Sequence, residues 1–324
     1  MMEDLATVRR VRREAAPLVI GLVNNMAGMA MTATYEQFFA AFADTGRKFV
    51  LRHLTLRAGN DAPHGCTFID GTLDGEIDAL IVTGTEPKTE DLRDEWLWPR
   101  LTRLHDWCML RRVPVLWSCL SAHVAVLHSN GIMRRRHDVK LSGVFACSAV
   151  APYHPLLTGM PAQWRFPHSR YHGLPEEPLI AHGYAVISRA GPAGVDIFAR
   201  TDGTPFYYFQ GHPEYHADTL LKEYARDARR YVDGEQAKRP MVPCGLLAAA
   251  DERLLAQLCD MKIEKRASKM LAVPYATQSK WQNTRRQLFM NWMDIVSPHP
   301  GNADRLLAGV ADKQKIKVST GASA

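Results

Sequence analysis

The chain has 324 residues, 46% of them apolar, with 40 lysines and arginines against 34 acids and a formal charge of +6. That much apolar content suffices for a sizeable core. Six cysteines without a C-x-x-C pair, in a chain of this length, exclude a small disulfide scaffold. The basic residues are interleaved with acids and no recognition motif accompanies them, which argues against a nucleic-acid role and leaves a polyanionic small molecule as a suitable partner. No apolar signal core follows the basic run Arg9 to Arg13, and no apolar stretch approaches the ~20 residues of a membrane-spanning helix. These features predict a cytoplasmic protein that contacts no membrane, with reduced thiols, of which five are expected to be small buried hydrophobes.

Residues 1–16 are expected to be a flexible N-terminus, 17–311 one catalytic domain, and 312–324 a disordered tail, since the last segment has no large apolar anchors beyond Ile316 and Val318. From Pro17 the pattern alternates between strands and helices, as in a parallel sheet flanked by helices. Pro17 to Asn24 reads as a strand buried on both faces. Tyr35 to Phe42 has helical spacing, Lys48 to Leu56 and Ile77 to Val82 read as strands, and Leu97 to Leu110 as a helix. Val113 to Trp117 returns as a buried strand and Leu120 to His128 continues as a helix. Next, Arg134-Arg135-Arg136-His137 reads as a solvated loop or as a contact for ligand phosphates, ahead of a strand at Lys140 to Val144. Tyr184 to Ser188, Val195 to Arg200 and Phe206 to Phe209 suggest antiparallel strands, followed by a helix from Ala217 to Val232. Leu246 to Lys262 and Lys280 to Val296 are expected to be helices on the same core. In such an open α/β sheet the chemistry belongs at the carboxyl ends of the strands.

Two segments carry chemistry. Val113-Pro114-Val115-Leu116-Trp117-Ser118-Cys119-Leu120 is a buried strand that turns into a helix at a cysteine, where free amides and the helix dipole favour a thiolate. Phe206 to Phe209 is an aromatic strand ending in Gln210-Gly211-His212-Pro213-Glu214, which places a base at a strand end and a carboxylate two residues on. Taken singly, Cys119 also fits a buried core thiol and His212 an ordinary loop. Together, in the order Cys, His, Glu after an α/β alternation, they point to a nucleophilic triad of Cys119, His212 and Glu214. The turns after two neighbouring strands predict an oxyanion hole from the backbone amides of Leu120, Gly84 and Thr85.

With Leu80 to Gly84, Lys140 to Val144, Pro167 to Tyr171, Gly211 to Tyr215 and Glu223 to Asp227, the chain resembles the homoserine O-succinyltransferase family. That resemblance implies a class I glutamine amidotransferase-like (flavodoxin-like) α/β fold, a mostly parallel sheet with helices on both faces. It implies Cys119 as acyl-thioester nucleophile, His212 as general base and Glu214 as its orienting partner. Lys140, Ser169 and Arg226 match positions that contact the amino-acid substrate. Lys88 stands where the family sets acyl-donor choice, a small residue going with succinyl and glutamate with acetyl. Two departures stand out: Asn24 to Ala30 lacks the family's loop lysine, and Leu120-Ser121-Ala122-His123 replaces a Trp- and Gln-containing sequence. The resemblance further implies a homodimer, acyl-CoA (succinyl-CoA or acetyl-CoA) as co-substrate, no permanently bound cofactor, no metal, and methionine biosynthesis. Rival readings are acetyl transfer, transfer to another amino alcohol such as serine, a glutaminase-type amidase, and a non-catalytic binding protein on the same fold.

Overall fold

A computed structural model describes residues 16–58, 65–200, 203–260 and 281–297. The chain first lays down β1 (Leu18–Val23), α1 (Met29–Ala43), β2 (Phe49–Thr55), β3 (Thr67–Phe68) and β4 (Ala79–Val82). It continues with α2 (Trp98–Arg111), β5 (Val115–Ser118), α3 (Leu120–Asn130), β6 (Arg135–Ala149), β7 (Gln163–Gly173) and α4 (Glu176–Ala181). Then come β8 (Ala185–Arg189), β9 (Val195–Arg200), β10 (Phe206–Phe209), α5 (Thr219–Val232), α6 (Ala249–Asp260) and α7 (Gln282–Val296).

All ten strands join one sheet in the order β3-β2-β1-β4-β5-β10-β9-β8-β6-β7. The six from β3 to β10 run parallel, and β9, β8, β6 and β7 continue with antiparallel pairings. Burial follows the two-residue period of a strand covered on both faces. Ile20 and Leu22 of β1 join the aromatic cluster under α1, α5 and α7, while Val19 and Val23 join the cluster under α2 and α3. On the first face α7 docks by rings: Phe289 meets Phe42 at 5.2 Å and Phe38 at 6.2 Å, both edge-on. Leu255 of α6 is buried in the same cluster, so both C-terminal helices belong to the core, as expected.

The structure departs from the sequence reading in places. β6 is fifteen residues long and absorbs Arg135 to His137, so most of the basic stretch opens a strand and does not form a loop. The sequence reading assigned no element to β7; it contains Pro167, tolerated because as the last strand of the sheet it has an edge on which a missing N–H costs no ladder bond. β3, two residues long, and α4, six, are too short for a periodicity to register. Cys108 and Cys147 are buried, but Cys66 is partly exposed and Cys244, in a loop bridged to Gly143, is exposed. The predicted tail and nearly all of the predicted flexible N-terminus lie outside the described residues. Among the described residues no helix is long and apolar enough to cross a membrane.

Candidate active site

The carboxyl ends of β1, β4, β5 and β10 stand side by side, and each delivers part of one site. β5 is followed directly by Cys119, whose backbone sits at φ 54° and ψ −115°, a strained conformation for a residue with a side chain. The turn is held from three sides. The Cys119 amide donates to the Phe209 carbonyl at 2.7 Å, its own carbonyl accepts from Ala122 at 3.0 Å, and the Ser121 hydroxyl donates to the Val82 carbonyl at 2.5 Å. Leu120 is the first residue of α3, so its N–H has no acceptor within the helix.

β10 ends at Phe209, and the following turn brings in His212. A side chain at Gly211 would place its Cβ 2.7 Å from Asp196 Oδ1 and 2.9 Å from the His168 ring, so only glycine lets the chain pass these buried groups. The His212 amide donates to Pro167 O at 2.7 Å, which makes the unanticipated β7 part of the scaffold of the site. His212 Nδ1 lies 2.8 Å from Glu214 Oε1, which leaves Nε2 as the nitrogen available to Cys119, close enough for the two groups to interact. Burial pushes the imidazole pKa down, but the Glu214 carboxylate and Cys119 outweigh it and hold the pKa well above its ordinary value. Tyr215 stacks on the ring with centroids 4.3 Å apart. The three residues expected to form a triad are therefore assembled.

The loop after β4 brings Gly84 against the start of α3. A Cβ there would stand 2.5 Å from Leu120 Cβ and 2.9 Å from Leu120 N, so the Gly84 and Leu120 backbones converge beside Cys119. Lys88, further along this loop, is exposed, and its backbone amide donates to Glu95 Oε1 at 2.6 Å. At the end of β1, Asn25 clasps Thr83 through two hydrogen bonds of 2.9 and 2.7 Å. Where the resemblance led one to look for a lysine, Arg57 reaches in from the segment after β2 and donates to the carbonyls of Asn25 and Met26.

Lys140, Ser169 and Arg226 come from β6, β7 and α5, yet they meet through two carboxylates. Ser169 Oγ and Tyr215 OH both donate to Glu223, the latter at 2.7 Å. Lys140 Nζ lies 2.7 Å from Asp227 Oδ2 and 3.8 Å from Glu223 Oε2. Arg226 binds its neighbour Asp227 through Nε and Nη2, and not Glu223 one turn back. Burial works against ionisation of Asp227, but Lys140 and Arg226 hold its carboxyl below the usual range. Glu223, Asp227 and Tyr215 are the members that sequence reasoning passed over. Their signal was present in the quoted matching segments, but helical spacing alone pairs Glu223 with Arg226.

Comparison with known proteins agrees with this arrangement. A family model described as homoserine O-succinyltransferase matches residues 2–299. A protein of Methylorubrum extorquens named homoserine O-succinyltransferase is 42% identical over 86% of this chain and 87% of its own length. One of the same name from Rhodopseudomonas palustris is 37% identical over 89% and 91%. Among solved structures, a glutamine amidotransferase from Methylobacillus flagellatus superposes with a TM-score of 0.52 at 17% identity, covering 86% of this chain and 94% of that one. A second, from Thermotoga maritima, gives 0.51 at 12% identity, covering 85% and 99%. At such identities these two structures speak to the fold alone, a class I glutamine amidotransferase-like sheet.

Proposed function

Because the chain belongs to the homoserine O-succinyltransferase family, we propose that it moves a succinyl group from succinyl-CoA to the hydroxyl of L-homoserine through a thioester on Cys119. The observation that carries this reading is the Cys119–His212–Glu214 relay set beside a charged cluster suited to an amino acid. In the first half-reaction the Cys119 sulfur attacks the donor carbonyl, the carbon–sulfur bond to coenzyme A breaks, and the departing thiolate takes a proton from His212 Nε2. In the second, His212 Nε2 accepts the proton of the homoserine hydroxyl as its oxygen attacks the Cys119 thioester, and the cysteine sulfur leaves. Glu214 keeps the ring turned toward sulfur and stabilises its charged form. The amides of Leu120, Gly84 and Thr85 would receive the negative oxygen of each tetrahedral intermediate.

Homoserine carries both a carboxylate and an ammonium, and the cluster offers a partner to each. Arg226, with Nη1 beyond its two contacts to Asp227, and Lys140 suit the carboxylate, while Glu223 suits the ammonium and Ser169 supplies a hydroxyl between them. Lys88 favours succinyl over acetyl by attracting the distal carboxylate from its loop. The enzyme would act in the cytoplasm, as a homodimer, in methionine biosynthesis.

Steady-state assays of thiol release test this. Succinyl-CoA and acetyl-CoA are each offered with homoserine, serine or glutamine, to wild type and to Lys88→Ala. The reading expects the highest kcat/KM for succinyl-CoA with homoserine, and a smaller succinyl preference in Lys88→Ala. Preference for acetyl-CoA or serine, or ammonia release from glutamine, would replace it with another reading.

A further inference from the structure

Beside α3 lies an open cleft of about 130 Å³ that the proposed chemistry does not use. One side chain on its lining is His123, one helical turn beyond Cys119 and only 3% exposed. Its Nε2 lies 3.0 Å from Gln210 Oε1. The orientation of that amide is fixed, because Gln210 Oε1 also accepts from the Leu174 N–H at 3.0 Å and Gln210 Nε2 donates to the Val195 carbonyl at 2.7 Å. The imidazole must therefore carry its proton on Nε2. Nδ1 is left as a bare acceptor, buried and without a hydrogen-bond partner among the described residues. Burial, helped by the charge of Arg170, pushes the ring pKa down to about 3, so it stays neutral. A buried lone pair of this kind calls for an N–H or O–H on the ligand and repels an anion.

The remaining lining changes character from inside to outside. Leu92 and Leu127 are buried apolar walls, extended by the half-exposed Met133. Arg134 and Arg136 also line the cleft, with Glu90 as the single carboxylate. Arg134 holds the Glu90 carbonyl at 3.1 Å and is close enough to Cys119 for their charges to interact, and Arg136 lies over the Tyr171 ring. Burial, followed by the charges of these two arginines, presses the His172 imidazole at the same site down to about 4. The arginine side of the cleft is thus a positive region.

An apolar chain with an amide N–H two carbons from a reacting sulfur and phosphates at its far end matches this sequence of surfaces. Residues one turn apart on a helix lie about 5–6 Å apart at Cβ, so a group bound at His123 neighbours one bound at Cys119. We infer that the cleft holds the pantetheine arm of the acyl-CoA donor, its sulfur-proximal amide N–H donating to His123 Nδ1 and its phosphates drawn to Arg134 and Arg136. This rests on the reading of the enzyme as an acyl-CoA-dependent transferase.

The test uses three succinyl donors: succinyl-CoA, the succinyl thioester of N-acetylcysteamine, which keeps the amide N–H but lacks phosphates, and the succinyl thioester of a plain alkanethiol, which lacks both. Arg136→Ala should raise KM for succinyl-CoA about tenfold, the scale of one charge-assisted contact, and leave the N-acetylcysteamine thioester unaffected. His123→Met should lower kcat/KM for the two amide-bearing donors and spare the alkyl thioester. His123→Gln, whose amide can donate to Gln210 and still present an oxygen to the cleft, should recover them. Calorimetric titration with CoA should show weaker binding by Arg136→Ala, and thermal melts establish that each variant is folded. Equal losses on all three donors in His123→Met would make His123 merely structural, and equal losses on all three donors in Arg136→Ala would assign the arginine to the succinyl carboxylate that they share; either overturns the inference. Turnover with KM unmoved by every variant overturns it alone, whereas a wild type that neither turns over a donor nor binds CoA removes the proposed function with it.

Discussion

Cys119 is held at a positive φ that costs about 1–3 kcal/mol in a residue with a side chain, and the hydrogen bonds around its turn offset that cost. The imidazole pKa is raised by Glu214 and Cys119 against the effect of burial, so removing the carboxylate must lower it. In Glu214→Gln the ascending limb of the pH–rate profile for the homoserine half-reaction should move to lower pH, with a slower plateau because the ring has lost its orienting partner. A pH–rate titration of kcat/KM for homoserine checks this, and a limb moved to higher pH would contradict it. Glu223, which gathers Ser169, Tyr215 and Lys140, supplies the second case. Glu223→Gln keeps the shape but removes the charge, and should raise KM for homoserine about tenfold or more, the scale of a charged hydrogen bond. Acylation by donor alone should keep its rate, and stopped-flow measurement of both half-reactions separates the two.

At the scale of elements, the site depends on how closely the loop after β4 seats on the first turn of α3. Gly84→Ala sets a methyl against Leu120 N and Cβ, neither of which can yield without moving the helix start. The substitution should lower kcat by about 10²-fold, as loss of one oxyanion donor does, with a small change in unfolding midpoint; unchanged kcat would remove the loop from the oxyanion hole. The same elements mark what was legible beforehand. β1, β4 and β5 announce themselves as short apolar runs, and α7 by the spacing of Leu288, Phe289 and Trp292, because burial on both sheet faces or along one helix stripe writes directly into the sequence. β7 did not, since its Pro167 violates a strand rule that holds only away from the edge. The meeting of Lys140, Ser169 and Arg226 was legible only by resemblance. It arises from the irregular register between Arg136 and Leu141 in β6 and from α5 folding back over the sheet, long-range events that no local spacing encodes.

For the whole molecule, the buried imidazoles set a pH dependence. His105, His123 and His168 are held neutral by burial, with folded pKa values below the ordinary histidine value. Their contribution is complete above an unfolded pKa of about 6.5 and falls away as acid protonates the unfolded chain first. His212, raised in the folded state, contributes in the opposite sense, fully below that value and less as pH rises through its folded pKa. Three groups outweigh one, so the urea midpoint should be lower at pH 5 than at pH 7.5; a higher midpoint at pH 5 would mean that these rings are protonated in the fold. Four strand ends converge beside Cys119, which the proposed mechanism makes an acyl carrier. Intact-mass spectrometry of the enzyme after exposure to succinyl-CoA, with no acceptor present, tests it. The expected result is a mass increase of one succinyl group, lost on adding homoserine and absent in Cys119→Ala, whereas an adduct that persists in Cys119→Ala, or its absence from a wild type that turns over, would contradict a thioester at this cysteine.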